Sequence, residues 1–311
     1  MAKPERTLPP WVIVQQAIVA AVQQSDPVVA LETTVVTHGL PRPANLELAR
    51  RLEDDVRSTG AVPATIGLLN GKLHVGLTPH QLERLATEPA PHKISRRDLG
   101  PAVALGWTGG TTVAATMLAA HWAGIRVFAT GGIGGVHRGE AGDVSADLPE
   151  LSRTPVAVVC SGAKAILDLP RTLEWLETAG VPVVGWQTDE WPAFFSRSSG
   201  LPVSARVDTP EAAAGLIRAH QSMPLAGGVL ICVPCPEDAA IPKDVVEAAV
   251  RRAEDEAATA GVHGPALTPF VLERLVALTD GATLKANLAL LRRNAKVAAE
   301  IAGALARLMP R

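Results

Sequence analysis

The sequence predicts an α/β fold: a single three-layer α/β/α domain with a mixed central sheet and a helical C-terminal segment. Short apolar segments alternate with helical segments almost throughout, which is typical of a sheet covered on both faces. Asn70-Gly71 separates two apolar segments and is a strong hairpin signal, so one strand pair is antiparallel. After Pro242 only helical patterns remain. Because no linker or repeat divides residues 1–311, we predict one domain.

The composition limits the possible functions. The chain has 311 residues, of which 47% are hydrophobic, which is ample for a large core. A net charge of −2 argues against a general nucleic-acid or membrane surface, and 3% aromatic residues argue against a stacking platform for single strands. The N-terminus lacks an apolar signal segment and no apolar run is long enough to span a bilayer, so we expect a cytoplasmic protein.

The three cysteines do not form a secreted disulfide framework. Cys232 and Cys235 have the spacing of a redox or zinc motif, but they end an apolar strand and precede Pro236 rather than a helix. The alternative is that they are small residues at a strand end, and this interpretation is favoured.

The individual elements follow from periodicity and from helix and turn signals. In the first third we predict a helix over Trp11–Gln24, a strand over Val28–Leu31, a helix over Ala44–Thr59, a hairpin of Thr65–Leu69 and Leu73–Gly76, and a helix capped by Thr78. In the remainder we predict a helix over Thr112–Trp122, strands over Ile125–Thr130 and Val156–Cys160, a helix from Pro170 to Gly180, strands over Val181–Gln187 and Gly228–Val233, a helix from Thr209 to Gln221 between these two strands, and three final helices.

The central stretch from Ile125 to Lys164 is the predicted functional region. Its two strands each end in small residues, and polar side chains then gather. Ligands of open α/β sheets bind beyond the carboxyl ends of the strands. The polar residues of this stretch are His137, Arg138, Glu140, Asp143, Ser145, Asp147 and Lys164.

A glycine-rich segment, Gly131–Gly135, follows the first of these strands. It either holds a phosphate with backbone N–H groups or makes a tight strand-to-loop turn. It does not match G-x-G-x-x-G, because His137 occupies the third glycine position counted from Gly132. Gly71-Lys72 likewise fails the P-loop pattern, so nicotinamide and nucleoside-triphosphate binding are excluded.

Two single residues are candidates for chemistry. Glu32 ends a buried strand, where apolar surroundings would make it a general acid; the alternative is a charge that faces solvent. Lys164 follows a strand and small residues, where a low dielectric would favour a Schiff-base nucleophile; the alternative is a solvated charge.

Two clusters are candidates for binding. His137, Glu140, Asp143 and Asp147 offer mainly oxygen ligands, which favour Mg²⁺ or Mn²⁺; alternatively Asp143 or Ser145 caps a short helix over Ala146–Ser152. The second cluster is cationic and suits a phosphate; the alternative is a solvated loop. It consists of Lys93, Ser95, Arg96 and Arg97.

Several blocks resemble the pseudouridine-5′-phosphate glycosidases, which are related to the indigoidine-synthase A proteins. The blocks lie in one order over nearly the whole chain and are highly specific. They are ALETTV at 30–35 with THG at 37–39, GAVPATI at 60–66, KISRRDL at 93–99, TTVA at 111–114, FATGGIGGVHRG at 128–139, DVSADL at 143–148, GAKAILDL at 162–169 and LKAN at 284–287.

The resemblance implies reversible cleavage of the C–C glycosidic bond of pseudouridine 5′-phosphate to uracil and ribose 5-phosphate, by ring opening and a lysine imine. It implies that Lys164 is the nucleophile, Glu32 the proton donor and Asp143 the ligand of a divalent cation, usually Mn²⁺ and otherwise one such as Mg²⁺. It also implies a three-layer α/β/α fold and a homotrimer. The implied substrate-binding residues are Lys93, Val113, Ser145, Ala146 and Asp147, with His137 and Asn287 near the sugar and the base.

Two features differ from the family pattern: the loop from Gly139 to Asp143 is shorter than usual, and Val233 stands where asparagine is expected. Two other functions use the same residues. One is a Schiff-base lyase or aldolase acting on another sugar phosphate, and the other is a non-catalytic sugar-phosphate-binding protein. The closeness of a candidate acid, nucleophile and metal ligand argues against the second.

Overall fold

The computed structural model describes residues 8–139, 142–262 and 267–309. Its centre is a mixed sheet in the order β1-β4-β3-β2-β7-β8-β11-β9-β10, with β6 paired to β3 and β5 paired to β6. The strands are β1 Val12–Val14, β2 Val28–Leu31, β3 Val62–Leu69, β4 Lys72–Val75, β5 His92–Ile94, β6 Gly109–Thr111, β7 Val127–Ala129, β8 Ala157–Cys160, β9 Val183–Trp186, β10 Ala205–Val207 and β11 Val229–Cys232.

Helices connect most of the strands and form the C-terminal segment, as predicted. They are α1 Gln16–Gln23, α2 Ala44–Arg57, α3 Pro79–Thr87, α4 Leu99–Ala104, α5 Val113–Trp122, α6 Asp147–Leu151, α7 Leu169–Thr178, α8 Pro210–Ser222, α9 Lys243–Thr259, α10 Leu267–Leu278 and α11 Ala282–Arg307. A π-helix spans Val35–Gly39 and a 3₁₀ turn spans Arg96–Asp98. None of the helices in the described ranges is long and apolar enough to cross a membrane.

The register of the parallel strands decides where the functional residues lie. Leu31 of β2 is paired with Ala129 of β7, which is in turn paired with Val159 of β8. These three strands are buried on both faces and therefore consist of apolar residues. Because the three strands run in the same direction, the residues that follow them meet at one edge of the sheet.

The predicted hairpin makes the sheet mixed. Strands β3 and β4 are antiparallel, with Leu69 opposite Lys72. Asn70 and Gly71 have positive φ values of 49° and 72°, which is the backbone geometry of the favoured two-residue hairpin turn. Strand β6 also runs antiparallel to β3 and carries β5 beside it, so Lys93 of β5 is brought toward the same edge.

The first predicted helix was wrong in its N-terminal part. Residues Val12–Val14 form β1, which pairs in parallel with β4, and the helix begins only at Gln16. β-Branched residues suit a strand, and the free side of the hairpin offers them a ladder of hydrogen bonds. Strands β5, β6 and β10 are three residues each and were not predicted, since so short a segment shows little periodicity.

The long C-terminal helix α11 is attached to the centre of the sheet through Asn294, which is fully buried. Its side-chain N–H group donates to the carbonyl of Thr130 at 2.9 Å and to the hydroxyl of Ser161 at 3.1 Å. One amide therefore joins the helix to the residues that follow β7 and β8.

We predict that Asn294→Leu lowers the free energy of unfolding by about 2–4 kcal/mol, because buried carbonyl and hydroxyl groups lose their donor. Guanidinium unfolding measures the change. Asn287→Leu is the matched control, since Asn287 lies on the same helix but lines a pocket. Equal losses of stability in the two variants would contradict this role of Asn294.

Candidate active site

Glu32 and Thr130 come directly after the neighbouring strands β2 and β7. The Thr130 hydroxyl donates a short hydrogen bond to the Glu32 carboxylate. Burial raises the pKa of Glu32, while nearby Lys164 and the Thr130 hydrogen bond act in the opposite direction. A carboxyl group in this environment keeps its proton at a higher pH than an exposed glutamate and can serve as a general acid.

Lys164 follows β8 at the same edge. Its backbone N–H donates to the carbonyl of Ile133 at 3.1 Å, and Ala163 forms an isolated parallel β-bridge with Ile133. These backbone contacts hold the segment around Lys164 against the glycine-rich segment. Gly162 has a φ of 86°, a conformation that favours glycine. The sharp turn after β8 directs Lys164 into the pocket that Glu32 lines.

The pocket has a volume of about 650 Å³ including its open mouth. One part of the lining is polar and charged, and another part is apolar. The lining residues are Glu32, Thr34, Val35, His38, Gly39, Lys93, Thr130, Gly131, Gly132, Lys164, Phe194, Leu272, Asn287 and Leu291. The predicted residues Glu32, Lys93, Lys164 and Asn287 are thus brought together, although they are far apart in the chain.

Two further titratable side chains, Lys93 and His38, line the pocket and have lowered pKa values. Burial and the charge of Lys164 lower the pKa of Lys93, while Asp147 and Glu32 act in the opposite direction. Burial and the charge of Lys93 also lower the pKa of His38, which favours its neutral form at pH 7. His38 belongs to the π-helix, a rare conformation that is frequent at functional sites.

Asp147 lies beside this pocket and holds two backbone segments together. Its carboxylate accepts from the N–H of Ala114 at 3.0 Å and from the N–H of Gly134 at 2.8 Å. The Thr112 hydroxyl accepts from the N–H of Ala115 at 3.4 Å. The N–H of Val113, the first residue of α5, has no acceptor within its own helix and points from a helix N-terminus, which favours anions.

Ser145 and Ala146 lie immediately before α6. The Ser145 N–H donates to the carbonyl of Gly135 at 2.9 Å, and its hydroxyl accepts from the N–H of Asp147 at 3.3 Å. The N-cap of α6 is Ala146 rather than Ser145, so the Ser145 hydroxyl contacts the first residue of the helix from one position before the cap.

The glycine-rich segment is explained by close packing. A Cβ on Gly132 would lie 2.6 Å from the Phe194 ring. One on Gly134 would collide with the Ser145 side chain and would lie 2.9 Å from the Asp147 carboxylate. None of the four glycines of this segment has a positive φ, so backbone conformation does not require glycine there. The N–H of Gly134 is engaged by Asp147, so this group is not available to a phosphate.

The cationic cluster separates into residues with different partners. Arg96 donates to both carboxylate oxygens of buried Glu150 at 2.9 Å. Ser95 caps the 3₁₀ turn with Asp98, and the Arg97 side chain is 84% exposed. Lys93 is the member of the cluster that lines the pocket.

The described members of the predicted metal cluster lie in different environments. The Asp143 carboxylate is 62% exposed and lies 4.0 Å from a ring nitrogen of His137. Glu140 lies outside the described residues. Within the described ranges there is no group of three histidine, cysteine, aspartate or glutamate side chains that could enclose a metal ion. The donor chemistry of Asp143 fits a hydrated Mg²⁺ or Mn²⁺ held through one carboxylate.

Neither the cysteines nor Val233 lines the described pocket. All three cysteines are free and buried. Burial raises the pKa of Cys235 to about 11 and also raises that of Cys232, which disfavours the thiolate that redox or zinc chemistry needs. Val233 is buried and donates its N–H to the Cys160 carbonyl at 2.7 Å.

Sequence reasoning did not assign a role to Thr130, His38 or the apolar residues of the pocket. Thr130 was visible as the polar end of an apolar strand, the same signal that identified Glu32. His38 belongs to one of the matching blocks, but its approach to Lys93 depends on the pairing of β5 with β6.

The fold and pocket define an α/β enzyme with a buried carboxyl group and a lysine at the carboxyl edge of its sheet. The family model of the Indigoidine synthase A like proteins matches residues 17–304, and the chain belongs to this family.

Several relatives are named pseudouridine-5′-phosphate glycosidase. That of Methylobacterium nodulans is 56% identical over 92% of this chain and 86% of its own length. That of Caldanaerobacter subterraneus subsp. tengcongensis is 51% identical, covering 94% of this chain and 96% of its own.

Two solved structures are similar over 97% of this chain and 99% of theirs. One is the prealnumycin C-glycosynthase AlnA in complex with ribulose 5-phosphate, with 42% identity and a TM-score of 0.89. The other is an indigoidine synthase A-like protein from Thermotoga maritima, with 41% identity and a TM-score of 0.88.

We predict that Thr130→Val raises the pKa of Glu32 further, because the hydroxyl donates to the carboxylate and so favours its charged form. Carboxyl titration by ¹³C NMR measures the shift. Thr34→Val is the control, since Thr34 lines the same pocket and its buried hydroxyl has no partner. An unchanged or lowered Glu32 pKa in Thr130→Val would contradict the assigned contact.

Proposed function

We propose that this protein cleaves the C–C glycosidic bond of pseudouridine 5′-phosphate, reversibly, to give uracil and ribose 5-phosphate. The observation that carries the proposal is that Glu32 and Lys164 line one pocket. The names of the relatives support the substrate. The described fold agrees with this function.

Lys164 is the proposed nucleophile. When the C–C bond breaks with its electron pair on the uracil carbon, C1′ becomes electron-deficient, and the nitrogen lone pair of a lysine bound to C1′ stabilises it as an iminium. The unprotonated amine binds C1′ as the C1′–O4′ bond opens and O4′ takes up a proton. The C–C bond then breaks and leaves C1′ as a lysine iminium, which water hydrolyses to release ribose 5-phosphate and the free amine.

Glu32 is the proposed proton donor. When the C–C bond breaks, its electron pair stays on the uracil carbon, which must take up a proton before uracil leaves. Burial raises the pKa of Glu32, which keeps a proton available for this step. In the direction of synthesis the Glu32 carboxylate takes the same proton back.

The remaining residues bind the two ends of the substrate. Lys93, the N–H of Val113 and the segment Ser145–Asp147 are proposed to hold the phosphate and the opened sugar. Asn287 is proposed to bind the base against the apolar part of the pocket, and His137 to lie near the sugar. A cationic side chain and a helix N-terminus are both suited to a phosphate.

A divalent cation and a homotrimer belong to the same proposal. Asp143 would hold Mn²⁺ or Mg²⁺, and the cation when bound would offset the negative charge of the phosphate. For the trimer, light scattering should give three times the 32.4 kDa mass of one chain.

A second candidate function is a C-glycosynthase or another Schiff-base enzyme acting on a sugar phosphate. The similarity to AlnA with ribulose 5-phosphate favours it, since that protein is named for forming a C-glycosidic bond. The same lysine would serve both functions, so the base or acceptor distinguishes them. A binding protein without catalysis would bind the sugar phosphate but not turn it over.

We predict that the purified protein with Mn²⁺ releases uracil from pseudouridine 5′-phosphate and that Lys164→Ala lowers the rate by at least about 10⁴-fold, because the covalent route is lost. Uracil release followed by chromatography measures both. Lys72→Ala, at a solvent-exposed lysine of β4, is the control and should leave the rate unchanged.

An active Lys164→Ala protein would rule out the imine mechanism. A wild-type protein that forms a borohydride-stable sugar-phosphate adduct without releasing uracil would favour the second candidate. Binding of ribose 5-phosphate with neither adduct nor release would favour the non-catalytic protein.

A further inference from the structure

Glu150 is a fully buried carboxylate that belongs to α6, and its main partner comes from a distant part of the chain. The Arg96 guanidinium donates to both of its oxygens at 2.9 Å. The Thr154 hydroxyl donates a short hydrogen bond to the same carboxylate, and Arg153 lies 3.4 Å from it. The buried charge is therefore compensated, as a charge without exposure to water must be.

Helix α6 has only five residues, Asp147–Leu151, and so short a helix is not stable without tertiary contacts. Its first residue is Asp147, whose carboxylate accepts from Ala114 at the start of α5 and from Gly134. Glu150 is one turn further along the helix. A contact that fixes the position of Glu150 therefore also fixes the position of Asp147 on the same helix.

Arg96 lies two residues beyond β5, the strand that carries Lys93. The Lys93 ammonium and the Asp147 carboxylate are close enough for the charge of Asp147 to affect the pKa of Lys93. The segments 92–98 and 147–151 are otherwise separated by about fifty residues of chain. The ion pair connects them directly, with Glu150 fully buried and the Arg96 side chain 41% exposed.

We propose that Arg96 and Glu150 are a positioning pair for substrate binding. The pair holds the strand of Lys93 and the helix of Asp147 at a fixed separation, so that Lys93 and the N–H of Val113 bind the phosphate of one ligand together. The inference rests on the proposed function for the identity of that ligand. It gives Arg96 a role different from the direct phosphate contact that the basic cluster suggested.

The test compares three arginines that have different partners. Arg96→Met removes the connection between the two segments. Arg153→Met removes another arginine from Glu150, but Arg153 lies just after α6 and joins nothing to β5. Arg97→Met removes the exposed neighbour of Arg96. All three substitutions remove one positive charge, so a general electrostatic effect would appear in all of them.

For Arg96→Met we expect KM for pseudouridine 5′-phosphate to rise about tenfold, with kcat within about threefold of wild type. Calorimetry should show ribose 5-phosphate binding weakened by a similar factor, and Glu150→Gln should show the same pattern. Arg96→Lys, which keeps a cation, should recover most of the affinity. Arg97→Met and Arg153→Met should leave both constants unchanged.

A merely structural pair would lower the melting temperature without changing KM or the affinity of the folded protein for ribose 5-phosphate, and this result would overturn the proposal. Equal effects of Arg153→Met and Arg96→Met would also overturn it. If Arg96→Met does not fold, Glu150→Gln and Arg96→Lys are judged by the same constants. If the wild type does not act on the nucleotide, the proposed function fails, while ribose 5-phosphate binding still tests the pair.

Discussion

The carboxylate of Asp147 is the contact on which the site depends. The carboxylate accepts hydrogen bonds from Ala114 in the first turn of α5 and from Gly134 in the glycine-rich segment. Asp147 is also the first residue of α6. Three segments from different parts of the chain are therefore held by one buried side chain. Gly134 is restricted to glycine because a Cβ would collide with the Ser145 side chain and approach the Asp147 carboxylate. Loss of the carboxylate would leave the buried N–H of Ala114 and the part-buried N–H of Gly134 without this partner.

The parallel strands provide the second constraint. Because β2, β7 and β8 are paired in register, the residues after them occupy one edge of the sheet. Glu32 and Lys164 come to one pocket in this way, although more than 130 residues of sequence separate them. Asn294 of α11 donates hydrogen bonds to Thr130 and Ser161, which follow β7 and β8 at the same edge. Glu32 and Lys164 are thus positioned by the strands that precede them rather than by long loops.

Local sequence patterns predicted the strand ends, the hairpin and most helices, since these depend on periodicity and turn residues. They also identified Glu32 and Lys164, because each follows an apolar strand. Asn287 was reached only through the resemblance to a family, as nothing in its own helix distinguishes it.

Other features depend on tertiary contacts that the sequence does not encode locally. The sequence places Arg96 in a cationic cluster that suits a phosphate. Its buried partner Glu150 is 54 residues away, so no local pattern indicates the ion pair. Strand β1 forms because β4 offers it a free edge. The sequence predicts a turn or a phosphate loop at the glycine-rich segment, whereas the side chains of Phe194, Ser145 and Thr172 occupy the space that Cβ atoms would need on Gly132, Gly134 and Gly135, respectively. The catalytic, binding and metal-binding roles of all the predicted site residues stay predictions.

The central claim is that Lys164 and Glu32 have separate roles, one as nucleophile and one as acid. Peptide mass spectrometry of Glu32→Gln, treated with ribose 5-phosphate and borohydride, tests it most directly. The account predicts a pentose-phosphate adduct on Lys164 in this variant, together with loss of uracil release. An adduct on another residue, or uracil release at the wild-type rate, would contradict it.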